Sequence, residues 1–283
     1  MFKATLDIAP GVTDAVELQQ HQLLMEVGEK TFSYVVYNKY QQQVQGFRQY
    51  ALDFIPGKSA LEALQDIFTA DEVLQNSFSE SYIVYNYSDS NLLPEKHFHI
   101  ELNKPVTELV YGNAKKGLLL NEKVPGWNVY NVYRIPREIH SLLQKKSAAG
   151  KYWHYYTLLL SVIKPEEVAE GNVIRVVISA EQFVAVVFKE GKLQLLQTYA
   201  YQTPEDVSYH LLSVCQHFSI DQEEVVLSLS GLIDEQSNLY QELLKYFLQL
   251  QWENLPGSVN LQESFRQFPQ HYFLPTLKMA LCV

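Results

Sequence analysis

Two stretches of this chain are near copies of one another, and that duplication constrains the fold more than any other feature. Residues 27–37 read VGEKTFSYVVY, and residues 178–188 read ISAEQFVAVVF, 151 positions later. In each copy a turn-like lead-in meets an aromatic, Phe32 or Phe183, and then a run of β-formers. A following strand ends Gln49-Tyr50-Ala51 in the first copy and Thr198-Tyr199-Ala200 in the second. Two diverged copies are too few for a solenoid, which needs at least about three repeats to close its core. The expectation is a duplicated α/β architecture of two halves.

The bulk properties agree. A length of 283 residues suits about two domains. At 47% hydrophobic and 19% charged, the chain has the core material of an ordinary globular protein. A net charge of −10 argues against a nucleic-acid surface, since phosphate binding needs clustered cations. Lys115-Lys116 and Lys145-Lys146 are only pairs and read as solvated surface. No apolar run approaches the ~18 residues of a membrane span, and MFKATLDIAPG lacks the apolar centre of a signal peptide. Cys282 is penultimate, which does not fit a prenylation box. Cys215 and Cys282 read as free thiols of a reducing compartment, so a cytoplasmic location is expected.

Periodicity predicts strands over about 23–37 and 44–54, interrupted by Pro56-Gly57. Ser59 then caps a helix with Leu61, Leu64, Ile67 and Phe68 on one face. A short helix over 70–78 and strands over 82–87, 98–102, 117–121 and 127–135 follow, and Pro136 opens a helix to about Lys146. In the second half, strands over 173–178, 183–189 and 193–201 precede a helix opened by Pro204, a strand over 225–229 and a helix over 237–250. A last short helix is expected over 274–282. Both halves thus share the order strand, strand, strand, helix, strand, helix, which is a ribonuclease-H-like pattern of mixed sheets flanked by helices. The boundary is placed near Lys164-Pro165, giving halves 1–163 and 164–283.

Two such halves in tandem resemble the actin-like ATPase superfamily of actin, sugar kinases, heat-shock chaperone ATPases and the pilus-assembly and cell-division actin-like proteins. More narrowly, the chain resembles a bacterial family of unknown function with a degenerate form of that fold. Asn91-Leu92-Leu93-Pro94-Glu95-Lys96-His97-Phe98 is similar to the LVPEELF stretch of the pilus-type members, and 130–138, YNVYRIPRE, to their VYAVPKE strand-to-helix step. The resemblance implies a nucleotide between the halves, held by one Asp-x-Gly hairpin from each. Glycine there lets backbone N–H groups approach phosphate, and the carboxylate holds magnesium through water. The first hairpin, Glu26-Val27-Gly28-Glu29-Lys30-Thr31, keeps the glycine and replaces Asp by Glu. The second, Val176-Val177-Ile178-Ser179-Ala180-Glu181, has neither residue, and the turn against adenosine reads Ser230-Gly231 with one glycine instead of two. The nucleotide-facing positions are therefore Glu26, Gly28, Lys30, Ser179, Ser230 and Gly231. Gly28 also reads as an ordinary hairpin glycine and Ser230-Gly231 as a plain strand-to-loop turn.

Other motifs fall short of chemistry. Gly57-Lys58-Ser59 imitates the end of a phosphate loop, but Leu52 stands where that loop needs its first glycine. His97-x-His99 has no third ligand beyond the nearby Glu95 and Glu101, and no Gly-x-Ser-x-Gly elbow or Cys-x-x-Cys pair is present. No catalytic or metal residue is assigned. Tyr130, Tyr133, Tyr152, Trp153, Tyr155 and Tyr156 gather near the proposed junction, as core packing or as a partner surface. The leading reading is a pseudo-ATPase that binds or scaffolds a protein partner, with no required cofactor. The rivals are a divergent magnesium-dependent ATPase or small-molecule kinase, and a sensor that binds ATP without turnover.

Overall fold

A computed structural model describes residues 4–9, 14–53, 57–113, 116–168, 170–254 and 259–281. Phe54, Pro56, Lys115 and Cys282, which carried parts of the expectations above, lie outside them. The chain divides into two units: residues 1–161, 257–266 and 276–283, and residues 162–256 and 267–275.

The first unit opens with β1 (Leu6–Ile8) and a single turn of helix, α1 (Ala15–Leu18). A meander follows: β2 (Gln22–Gly28), β3 (Thr31–Asn38) and β4 (Gln43–Ala51). Then come α2 (Ala60–Ala70), β5 (Glu80–Asn86), β6 (Ser90–Pro94), α3 (Asn103–Tyr111), β7 (Leu118–Lys123), β8 (Val129–Ile135), α4 (Arg137–Lys146), β9 (Lys151–His154) and α5 (Tyr155–Ser161). In the second unit β10 (Asn172–Ile178), β11 (Gln182–Lys189) and β12 (Lys192–Ala200) form the meander. They lead to α6 (Pro204–Phe218), β13 (Val226–Gly231), α7 (Asn238–Leu243) and β14 (Gln249–Trp252). β15 (Asn260–Leu261) and α8 (Leu274–Leu281) complete the chain.

The duplication is built into the sheets. The first runs β1-β4-β3-β2-β5-β9, with β15 also on β4, and the second runs β12-β11-β10-β13-β14. In each, the two antiparallel pairings of the meander are followed by two parallel ones, β2-β5-β9 or β10-β13-β14, and β1 adds a further antiparallel strand to the first sheet. Register agrees to the residue: Val27 faces Phe32, and Ile178 faces Phe183. Each meander also slips at the same place, between Val36 and Tyr37 in one and Val187 and Phe188 in the other. A bulge kept in both copies is a feature of the unit's twist rather than an accident of either.

Each sheet buries one face under its helices. In the first unit Phe32, Tyr50, Leu64, Ile67 and Phe68 share a core, and Phe32 lies 5.6 Å from Phe68. In the second Phe183, Val207, Leu211 and Val214 do the same, with Phe183 stacked on Tyr199 at 5.2 Å. Capping boxes fix where both helices begin: Ser59 with Glu62, and Thr203 with Asp206. Asp71, just past α2, ties that helix to the meander. Its buried carboxylate accepts from Tyr34 and Tyr50, both at 2.7 Å, and from Arg48 at 3.0 Å.

Several expectations need correction. The stretch predicted as one strand over 23–37 is two, folded at the Glu29-Lys30 hairpin. Residues 98–102 are not a strand: Ile100–Leu102 form a 3-10 turn running into α3, with Pro105 tolerated in the first turn, where its missing N–H costs little. Ala70 ends α2, and 71–78 hold only a 3-10 turn at Val73–Gln75. The long helix over 237–250 stops at Leu243, and Gln249–Trp252 is the edge strand β14. Lys151–His154, read only as aromatic-rich, is the matching edge strand of the first sheet. Among the described residues, the small sheet β6-β8-β7 with α3 has no counterpart in the second unit.

Candidate functional site

In open α/β sheets, ligands favour the carboxyl ends of parallel strands. In the first unit these ends belong to β2, β5 and β9, and the predicted Glu26, Gly28 and Lys30 sit there. Glu26 is half-buried. One of its oxygens accepts from Asn86 Nδ2 at 2.8 Å and the other from Thr276 Oγ1 of α8 at 3.4 Å. Burial pushes its carboxyl above the usual range, against the pull of those two hydrogen bonds. A carboxyl whose charged form is disfavoured by burial is a weaker arm for magnesium. Gly28 has no left-handed conformation, and a Cβ there would come within 3.1 Å of Asn86 O. Lys30 is exposed, and its carbonyl accepts from Leu52 N at 2.7 Å, which extends the β3-β4 pairing beyond Thr31 and Ala51.

The second unit brings Ser179, Ser230 and Gly231 together, since Val177 pairs with Ser230 and Ile178 with Gly231. Ser179 spends its N–H on Gln182 O at 2.8 Å and its carbonyl on Tyr201 Oη at 2.6 Å. Gly231 has φ +86°, and a Cβ would lie 2.0 Å from Ile178 O, so strand packing alone demands a glycine. Ser230 is fully buried, and its hydroxyl has no hydrogen-bond partner. The backbone donors of this turn are spoken for: Leu232 N donates to Ile178 O at 2.9 Å, and Ile233 N to Gly231 O at 2.9 Å. Glu26 and Ser179 thus do not fit a magnesium–phosphate cradle as the hairpin chemistry would require.

A cavity of about 390 Å³ opens instead at the carboxyl end of the first sheet. Its floor is apolar: Leu61 of α2, Ile135 of β8 and Ile139 of α4. Glu29 of the hairpin, Tyr87 and Asp89 after β5, and Glu138 in the first turn of α4 supply polar groups. Arg134 meets Asp89 through Nε at 2.9 Å and Nη2 at 2.6 Å, and donates to Gly112 O at 3.1 Å, with both side chains buried. Tyr87 is 6% exposed, its hydroxyl has no hydrogen-bond partner among the described residues, and burial together with the Glu29 and Glu138 charges holds its proton on. The sequence reading missed these residues. Arg134 was the available signal, as a lone cation inside a strand of β-formers that must be paired if buried.

Beside the cavity, a buried polar network fastens the small sheet to the main one. Glu122 of β7 accepts from His154 N at 2.8 Å and lies 3.4 Å from Tyr133 Oη. Asn131 of β8 accepts from Ser90 Oγ at 2.6 Å and donates to Thr157 Oγ1 at 3.2 Å. His154 accepts at Nδ1 from Tyr156 N at 3.1 Å, which leaves Nε2–H to donate to Tyr87 O at 2.9 Å. Burial lowers the His154 pKa to about 3 and raises that of Glu122 to about 7. Among the described residues no group of three or more His, Cys, Asp or Glu could hold a metal, and no helix is long and apolar enough to cross a membrane.

Comparison with solved structures gives the fold. The chain is similar to a Bacteroides thetaiotaomicron protein with actin-like ATPase fold and unknown function, at a TM-score of 0.79 and 18% identity, over 96% of this chain and 100% of that one. It is similar to the PilM-PilN type IV pilus biogenesis complex at 0.63 and 13%, over 93% and 98%. A filament of AlfA from B. subtilis matches at 0.42 and 8%, over 93% and 99%. The chain has the actin-like ATPase fold, as its two repeated sheets require. No curated protein sequence matches it. A family model described as protein of unknown function, DUF3822, matches residues 12–250.

Proposed function

We propose, for a chain that belongs to the DUF3822 family and has the actin-like ATPase fold, a binding or scaffolding role without nucleotide turnover. One observation carries this reading. Both copies keep the architecture, while the groups that would grip phosphate and magnesium are committed elsewhere: Glu26 to Asn86 and Thr276, Ser179 to Gln182, and Gly231 to its packing on Ile178. The PilM-PilN complex offers a precedent for this fold within a protein assembly. The ligand is then a protein partner rather than a nucleic acid, in keeping with a net charge of −10, and the setting is the cytoplasm.

A thermal-shift panel over nucleotides with and without magnesium tests the proposal, because a ligand that binds only the native state raises the melting temperature. No shift at millimolar nucleotide and no phosphate release are expected. Turnover at ordinary enzyme rates that disappears in Glu26→Ala would overturn the reading. A shift without turnover would indicate a nucleotide sensor.

A further inference from the structure

The hydrogen-bond donors of the first unit's cavity carry a more specific assignment, which rests on the partner-binding reading. Two helices begin at its wall: α2 with Ser59, Ala60 and Leu61, and α4 with Pro136, Glu138 and Ile139. The first N–H groups of a helix have no partner inside it and point out along its axis. At α2 the Ser59 hydroxyl takes up the N–H of Glu62. At α4 the cap is Pro136, which has no side-chain acceptor to offer, and its carbonyl accepts from His140 N at 3.2 Å. Among the described residues, the N–H groups of Ala60, Leu61, Glu138 and Ile139 make no hydrogen bond.

Tyr87 is an independent signal in the same space. Its side chain is more than nine-tenths buried, and its hydroxyl, near enough to Glu29 and Glu138 to feel their charges, has no hydrogen-bond partner among the described residues. Donors thus converge on the cavity, and its own carboxylates do not answer them. Asp89 is held by Arg134, Glu29 accepts from Ser88 Oγ at 3.2 Å, and Glu138 is exposed. A carboxylate suits the vacancy in kind, because it only accepts and brings two oxygens. It also suits the charge. Lys116 offsets Glu138 within the lining, and two helix N-termini of about +0.5 each balance one negative charge, not the two of a phosphate dianion. The floor of Leu61, Ile135 and Ile139 lies beside these donors and asks for an apolar group as well. The end of a chain carries a carboxylate and a side chain on one Cα, whereas an Asp or Glu side chain brings the carboxylate alone.

We propose that this cavity receives the C-terminal carboxylate of a partner protein, with an apolar last side chain on Leu61, Ile135 and Ile139. The carboxylate oxygens accept from the N–H groups at the starts of α2 and α4 and from the Tyr87 hydroxyl. The volume of about 390 Å³ has room for the end of an extended chain.

The test uses the full chain and N-terminally labelled peptides of Gly and Ser that end in Leu, Phe or Gly, each as the free acid and as the C-terminal amide, followed by fluorescence anisotropy. The Leu and Phe acids are expected to bind about tenfold more tightly than their amides, the ratio that 1.4 kcal/mol supplies, and more tightly than the Gly acid. Tyr87→Phe should weaken the acids several-fold and leave the amides unchanged. It should not lower the melting temperature, since the hydroxyl it removes has no partner within the fold. Glu138→Gln should tighten the acids alone, because it takes a negative charge from beside the carboxylate. Equal binding of acid and amide, a preference for the Gly acid, or binding of none of the acids overturns the assignment. Inorganic phosphate that displaces the Leu acid better than acetate does overturns it too, and marks a phosphate site instead. Each of these results leaves the partner-binding reading standing. That reading falls separately, on turnover in the nucleotide panel.

Discussion

Gly28 and Gly231 look equivalent in the sequence, each closing a strand at a turn, yet their physical situations are opposite. At Gly231 the backbone is left-handed, and the space a Cβ would take is filled by Ile178 O. Alanine there must shift the β10-β13 pairing or abandon the conformation. At Gly28 the nearest atom to a Cβ is 3.1 Å away and the conformation is ordinary. Gly231→Ala is therefore expected to lose more than about 2 kcal/mol in urea denaturation, and Gly28→Ala less than about 1 kcal/mol. Similar losses for both would show that Gly28 is also held by something other than its hairpin. Ser230 sharpens the point, since its buried, unpartnered hydroxyl carries a desolvation cost of about 1–3 kcal/mol with no return inside the fold. Ser230→Ala should leave stability unchanged or raise it.

At the scale of elements, the join between the small sheet and the main one contains two titrating groups with opposite pH slopes. Glu122 ordinarily titrates near 4.5 and is lifted to about 7 by burial. Between those values the native state keeps a proton that the unfolded chain releases, so stability falls as pH rises. His154 ordinarily titrates near 6.5 and is lowered to about 3 by burial. Between those values the unfolded chain holds the extra proton, so stability falls as pH drops. Over roughly pH 4.5–6.5 the two slopes oppose each other, each at about 1.4 kcal/mol per pH unit. The wild type should be nearly flat there. Glu122→Gln should reveal a stability that rises with pH across that window, and should exceed the wild type by up to about 3 kcal/mol at pH 8. Denaturation curves at pH 5, 6.5 and 8 would measure it. A wild type that rises with pH as steeply as the variant would mean that Glu122 is ionised in the native state.

The element scale is also where the sequence was read best and worst. The meanders were legible because Val, Tyr and Phe mark strands and because each copy checks the other. α2, α4 and α6 were legible from apolar spacing behind Ser59, Pro136 and Pro204. β9 and β14 were not, since an edge strand of four residues is too short to show a period, and Leu248 and Leu250 continue a helical spacing after α7 has ended. The cavity was hidden for a different reason. Tyr87, Arg134 and Glu138 come from separate elements that only the small sheet, an insertion with no repeat to check it against, brings together.

At the scale of the whole molecule, the C-terminal segment contributes to both units in turn. Residues 257–266 belong to the first unit, 267–275 to the second and 276–283 to the first again, although the duplication read from the sequence assigned everything after 163 to the second half. β15 pairs in parallel with β4, Asn260 opposite Gln43 and Leu261 opposite Val44. Phe265 is 1% exposed within the first unit's share of the segment, and Phe273 is 2% exposed within the second's. Truncating either ring to alanine should cost about 3–5 kcal/mol through lost burial and the cavity left behind. The destination of that loss identifies the division. Amide exchange follows local opening as well as global unfolding. Phe265→Ala should lower protection chiefly in β2–β5, and Phe273→Ala chiefly in β10–β14. If both substitutions lower protection evenly across all these strands, the two units unfold as one cooperative body rather than separately.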